Sequence, residues 1–458
     1  MGPGATTPSS APHDVGSRIP SAGAPRSSDS LLPSHGNGGY DVTHYAIAIG
    51  YTPSTQMLSG TDTITATSTQ ALSSFDLDLH GLGVSSVTVG GRAAKFAIAN
   101  DKLTVKPARS IAKGATITTT IRYGGVPRQY NDVASGVQGF LPQNDGAIAN
   151  GQPLVAPAWF PVNDTPADKA RYDITITAPT GLAALSNGVL ANKTTSGPNT
   201  TWHWVESAPM ASYLALAAIG KYRVTTTTHN GLPVVLAVAD PLPRSTDAEL
   251  ANTPAILDFL ISQFGPYPFD SVGGVVHEEN RLDALENQTR PAYPSKEFDD
   301  PKDANSLMAH ELAHQWFGDN VSISDWSDVW LNEGFATYAE WLWSQHIGKK
   351  TPRERFDKMY RESDGIPSDP PARPTLDRLF DDSVYDRGAA TLEALRIVVG
   401  DATFWRIVRG WAQAHAGGNA TTTEFIAYAD QISGRSLDSF FRAWLYMPGK
   451  PPYPQAAR

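Results

Sequence analysis

Residues 307–317 read Leu-Met-Ala-His-Glu-Leu-Ala-His-Gln-Trp-Phe, and the rest of the chain is best read outward from them. The apolar positions recur at helical spacing. A helix brings residues four apart onto one face, so the imidazoles of His310 and His314 can reach a single ion. Glu311 lies one position on, close enough to polarise a water at that ion without ligating it. A surface helix that happens to carry two histidines is the plain alternative. With 11 His in 458 residues, composition alone yields the five-residue pattern in roughly one such chain in a hundred.

A second helical pattern, Asn332–Gln345, is entered through Trp330-Leu331-Asn332-Glu333-Gly334. Helix, loop and helix can return the Glu333 carboxylate to the same ion. Catalytic zinc takes three protein ligands and keeps one position open, and two His with one Glu form its hydrolytic set. One Zn²⁺ per chain is therefore expected. Glu340 lies two turns beyond Glu333 on the same face, where it could orient a ligand imidazole or simply be solvated.

Further out, Ile256, Leu257, Leu260, Ile261 and Phe264 fall at helical spacing and stop at Gly265-Pro266. Val272–Val276 reads as a strand, and Ala389–Val399 and Thr422–Ile432 as helices. Before residue 221 the period is two: Tyr45, Ile47 and Ile49; Ile117, Thr119, Ile121 and Tyr123; Tyr172, Ile174 and Ile176. Turn signals at Gly90-Gly91, Asn100-Asp101 and Gly124-Gly125 separate such runs, which predicts antiparallel sheets. The longest apolar run, Ala211–Ile219, is about half of what crosses a bilayer and reads as a buried strand. Residues 1–39 are rich in Ser, Pro, Gly and Ala and are predicted to be disordered. The organisation expected is α+β: a tail over 1–39, a β domain over 40–220, and a mainly helical domain with a small sheet over 221–458.

The net charge of −10 speaks against nucleic acid or an anionic membrane as partner. The chain contains no cysteine, which excludes a disulfide framework, a thiol nucleophile and cysteine-bound zinc. The first residues lack the apolar core of a signal peptide. A cytoplasmic protein with a loose tail and the mature end of an exported one both fit. Few lysines and many Thr, Asn and Gly favour the second, so an extracellular protein is expected, with a cytoplasmic one as alternative.

The segment from His310 through Glu340 resembles the aminopeptidase N family of gluzincins, which includes the leukotriene hydrolases. The likeness continues through Gln315-Trp316-Phe317-Gly318 and Trp326 to Ala336. Upstream, Asp283-Ala284-Leu285-Glu286-Asn287-Gln288 is similar to the family's exopeptidase motif, Gly-Ala-Met-Glu-Asn, with Asp283 and Leu285 as departures. The resemblance implies a sheet edge at Ala284 to Asn287 that pairs with an extended substrate, and a Glu286 carboxylate that binds its free α-amine. Glu278 and Glu279 are nearby rivals for that amine. On the β domain, residues 157–172 look like another family stretch and place Gln152 where an amine-binding Gln or Glu stands. Val384-Tyr385-Asp386-Arg387-Gly388-Ala389 resembles the segment of the catalytic tyrosine, which implies that Tyr385 donates to a developing oxyanion. The fold so implied is a saddle-like antiparallel β domain followed by a thermolysin-like catalytic domain.

The activity implied is a zinc aminopeptidase, a monomer acting on peptides with a free N-terminus, with Glu311 as general base. A zinc endopeptidase, a processing enzyme for one precursor or leader, and a non-catalytic peptide binder are the alternatives. Intact His310, Glu311, His314, Glu333 and Tyr385 argue against the last.

Overall fold

A computed structural model describes residues 19–455. The alternating segments assemble into one twisted sheet of eight strands. Its order is Val189–Ser196, Asn199–Met210, Ala170–Pro179, Tyr40–Thr52, Met57–Ser68, Thr116–Gly125, Gly83–Val89 and Arg92–Ala93. Tyr45, Ile47, Ile49, Ile117, Ile121, Tyr172, Ile174 and Ile176 are all buried on one face, as period-two patterning requires. The sheet departs from the expectation at one pair. Ala170–Pro179 runs parallel to Tyr40–Thr52, with Tyr172 opposite Tyr45; the two rings stack at 5.0 Å. Alternation specifies which face a residue takes, not the direction of its neighbour. A five-stranded sheet and a four-stranded sheet complete this half of the molecule. The run Ala211–Ile219 is buried but divides into a short turn, Ser212–Leu214, and the strand Ala217–Gly220.

From Tyr222 onward a four-stranded sheet, Tyr222–His229, Leu232–Ala239, Val272–His277 and Ala292–Pro294, is interrupted and then followed by helices. Thr253–Phe264 ends at Gly265, whose φ of 102° turns the chain out of the helix. The helix Pro301–Ala313 is started by Asp300, whose side chain accepts from the Lys302 amide. It stops four residues short of the predicted Phe317, with His314 at its C-cap. Trp330–His346 packs against it and also against Gly388–Val399. Among the described residues no helix is long and apolar enough to cross a membrane.

The predicted tail requires correction. Residues 1–18 lie outside the described residues, but 19–39 are packed. Ser21–Ala22 pairs in parallel with Leu72–Asp78. Leu32 is buried, the Gly36 amide donates to Asp78, and the Asn37 amide donates to Asn163 Oδ1 at 2.6 Å. Composition underrates such a segment because its order comes from hydrogen bonds to distant residues rather than from its own apolar content.

Candidate active site

His310 and His314 lie on one helical face with ring centroids 4.8 Å apart. His310 Nδ1 is 2.8 Å from Glu340 Oε1, and His314 Nδ1 is 3.0 Å from the Phe317 carbonyl. A carboxylate and a carbonyl only accept, so both Nδ1 atoms carry a proton, which leaves each Nε2 as the nitrogen that can ligate a metal. These Nε2 atoms stand 3.2 and 3.3 Å from Glu333 Oε2. Tetrahedral zinc with bonds of about 2.0–2.1 Å needs its donors about 3.3 Å apart. All three side chains are buried, and Glu333 Oε1 has no hydrogen-bond partner among the described residues. Spacing, tautomers and donor types all fit a zinc ion. Burial opposes the Glu333 charge, yet in the metal-free chain the two neighbouring rings, protonated, hold its carboxyl below the usual range.

Glu340 thus lies beside the His310 ring, and its second oxygen accepts from Ser306 Oγ at 2.9 Å. Glu340→Gln removes the anionic acceptor that fixes the His310 tautomer. Zinc affinity should fall about 10- to 100-fold, measured by competition with a chromophoric chelator. An unchanged affinity places Glu340 among ordinary helix carboxylates.

A cavity of about 440 Å³ opens over this cluster and is lined by both halves of the molecule. Glu286, Glu311, Tyr385, Ala284 and Gln152 all face it. Acceptor atoms of Glu286, Glu311 and His314 lie within 4.8 Å of one another. Burial raises the Glu286 carboxyl, while the Tyr213 hydroxyl donates to it at 3.0 Å and supports the charge. Gln152 Oε1 is buried and has no partner among the described residues, an acceptor beside the cavity. Tyr385 stacks on the His310 ring at 6.0 Å, and burial keeps its phenol protonated. Glu278 and Glu279 line a separate groove with Gln56 and Asn144, which removes them as rivals for the amine.

Asn287 lies apart from the other predicted site residues. It is buried with its amide donating to the Leu214 carbonyl and does not line the cavity, because the chain turns there towards the β domain. Asp283, in contrast, causes no distortion. Positive φ at non-glycine residues among those described falls at Gln56, Asn100, Asp101, Asn230 and Thr289, so this position does not need the family's glycine. Leu285 exchanges both backbone hydrogen bonds with Ala292, which turns the peptide groups flanking it to the opposite side.

The segment is held from several directions. Gln315 Nε2 donates to the Glu286 carbonyl and its Oε1 accepts from the Thr289 amide. The buried Arg290 guanidinium reaches the carbonyls of Ser186 and Gly188 on the β domain and of Val235 and Val272 on the small sheet. Arg387, two residues after Tyr385, gives all its donors to seven backbone carbonyls. Three belong to Pro367, Ser368 and Asp369, and four to Ala443, Trp444, Met447 and Gly449.

Two residues at the site escaped the sequence reading. Tyr213 was hidden in an apolar run, where only the need of a buried phenol for a partner could have marked it. Gln138 accepts from the Leu154 amide, and its Nε2 at the cavity wall has no partner among the described residues; no local pattern marks it.

Two imidazoles and a carboxylate aimed at one point, with a further carboxylate beside them in a cavity between a β domain and a helical domain, are the build of a mononuclear zinc metallopeptidase. Residues 42–214 match the Peptidase M1 N-terminal domain and residues 248–444 the Peptidase family M1 domain. The chain belongs to peptidase family M1. It is 30% identical over 329 residues to aminopeptidase M1-C of Oryza sativa subsp. japonica, covering 67% of this chain and 37% of that protein. Aminopeptidase N of Streptomyces lividans is 28% identical over 351 residues, 70% of this chain and 40% of its own length. The chain therefore spans well under half of these curated relatives. Among solved structures, the M1 zinc metallopeptidase from Deinococcus radiodurans superposes with a TM-score of 0.86 at 30% identity, covering 94% of this chain and 99% of that one. A mutant of that enzyme has been solved with a Tyr-Ser-Ala substrate bound.

Proposed function

We propose that this chain is a zinc aminopeptidase that removes the first residue of peptides. The observation that carries the reading is the closeness of Glu286 to Glu311 and His314, within 4.8 Å. An α-ammonium nitrogen lies about 2.5 Å from the carbonyl carbon of its own residue. An amine held by Glu286 therefore leaves room for one residue before the ligand cluster, which sets the register of an exopeptidase.

His310, His314 and Glu333 hold the metal in this reading. Zinc there supplies the Lewis acidity that polarises a scissile carbonyl and makes water acidic. Glu311 takes the proton of the attacking water and delivers it to the leaving amine. The Tyr385 hydroxyl donates to the oxyanion as it develops. Glu286 binds the ammonium by charge-assisted hydrogen bonds, and Gln152 Oε1 is a further acceptor. Ala284 offers backbone groups to the extended substrate. An internal peptide segment would set an uncharged amide against Glu286, which disfavours the endopeptidase alternative.

In this reading the enzyme works as a monomer. The scarcity of lysine favours a location outside the cytoplasm.

A panel of fluorogenic aminoacyl amides, each offered free and N-acetylated, tests the reading. Free substrates should be cleaved and a chelator should abolish turnover. Acetylation should lower kcat/KM by about 100-fold or more, because it leaves a buried carboxylate without its cation. Equal cleavage of acetylated and free substrates removes Glu286 as the anchor.

A further inference from the structure

We infer that residues 26–37 form a strap that positions the amine anchor Glu286 through Trp326 and Tyr213, with Asp29 as the positioning residue; the inference rests on the aminopeptidase reading. The strap lies upstream of the matched N-terminal domain, which begins at residue 42. It nevertheless reaches across to the catalytic half.

Asp29 is buried. One of its oxygens accepts from the Leu31 and Leu32 amides at 2.9 and 2.7 Å, which shapes the strap itself. The other accepts from the Trp326 amide at 2.8 Å. Asp325 answers in the opposite direction, accepting from the Ser30 amide at 2.8 Å and from its hydroxyl at 2.7 Å. Strap and turn thus cap each other. The turn Trp326–Asp328 stands immediately before the helix that carries Glu333.

From there the contacts run inward. The buried Trp326 indole meets the Tyr213 ring edge-on, with centroids 5.2 Å apart, and approaches Phe380 of the cavity wall at 6.2 Å. Tyr213 is almost fully buried, and its hydroxyl donates to Glu286 Oε1 at 3.0 Å. A hydrogen bond to a carboxylate depends steeply on donor position. The phenol can hold Glu286 in one orientation only if Trp326 is itself held. Trp326 sits in a loop between the two ligand helices that has little regular structure, and Asp29 accepts its backbone N–H. Losing that acceptor leaves a buried amide unsatisfied and frees the turn to shift.

The test compares Asp29→Ala, Ser30→Ala and Tyr213→Phe, alone and combined, on an aminoacyl amide and on its analogue lacking the α-amine. For Asp29→Ala, KM for the free-amine substrate should rise about 3- to 30-fold with kcat nearly constant. The preference for the amine-bearing substrate should shrink by the same factor, and zinc should stay at one per chain. Ser30→Ala removes a single hydroxyl contact and should move KM in the same direction by a smaller factor, which keeps the test open if Asp29→Ala does not fold. The Asp29→Ala and Tyr213→Phe effects on KM should combine to less than their product, because both act on one carboxylate. A purely structural strap would lower zinc content and active fraction and leave KM unchanged; that result, or effects that multiply, overturns the proposal. Wild-type enzyme that ignores the α-amine instead overturns the aminopeptidase reading, so the two failures are distinguishable.

Discussion

Glu311→Gln should leave a folded, zinc-loaded protein whose kcat/KM on an aminoacyl amide is lower by about 10²- to 10⁴-fold, the usual contribution of a positioned proton acceptor. Glutamine keeps the shape of the side chain and donates no ligand that was in use, since His310, His314 and Glu333 are untouched. What disappears is the ability to take a proton. Stability offers a second readout with a definite sign. Burial pushes the Glu311 carboxyl of the metal-free chain from 4.5 up to about 8, with His310 and His314 opposing. A carboxyl raised on folding stabilises fully below its unfolded value, and that contribution is lost as the pH rises through its folded value. The amide does not titrate. Metal-free Glu311→Gln should therefore gain on metal-free wild type between about pH 4.5 and pH 8, seen as a growing difference in thermal midpoint. Wild-type-like turnover in the variant rules out Glu311 as the base.

Gly334→Ala is expected to damage the site almost as severely from outside it. A Cβ at Gly334 would sit 2.9 Å from the Cα and C of Gly388 and 3.4 Å from the Ala389 nitrogen. These are backbone atoms of a packed helix, so no flexible side chain can swing aside. Forcing them apart costs about 1–3 kcal/mol, typical of an overpacked core. The displacement falls on Glu333, the adjacent residue, and on Tyr385, three residues before Gly388. Zinc affinity and kcat should both fall, by more than the loss of folded protein explains. Zinc competition and thermal unfolding check this. A variant with wild-type affinity and thermal midpoint means the helices do not meet this closely.

The sequence was most legible where spacing is local. His310 and His314 declare themselves because four residues make one helical turn, and the buried faces of the large sheet follow from period two. Glu333 required only that a second helix return. What stayed hidden depends on partners far along the chain. Nothing near Tyr172 says that its strand will run parallel to the one bearing Tyr45. The order of residues 19–39 rests on Asp78, Asn163 and Trp326, none of which lies within that segment. Likewise the His310 helix ends at Ala313, just before the turn in which the His314 ring meets the Phe317 carbonyl, and the Asn287 amide finds its acceptor at the distant Leu214. Gln152 was found through family likeness alone, and Gln138 by no route.

The seven carbonyls gathered by Arg387 bear on the order in which activity arises during synthesis. Four of them come from residues 443–449. A growing chain arrested before that point already owns the histidines, the three site glutamates and the phenol. Its guanidinium, however, is left partly unsated beside Tyr385. In such a chain the support behind Tyr385 is incomplete while His310, His314 and Glu333 are all in place.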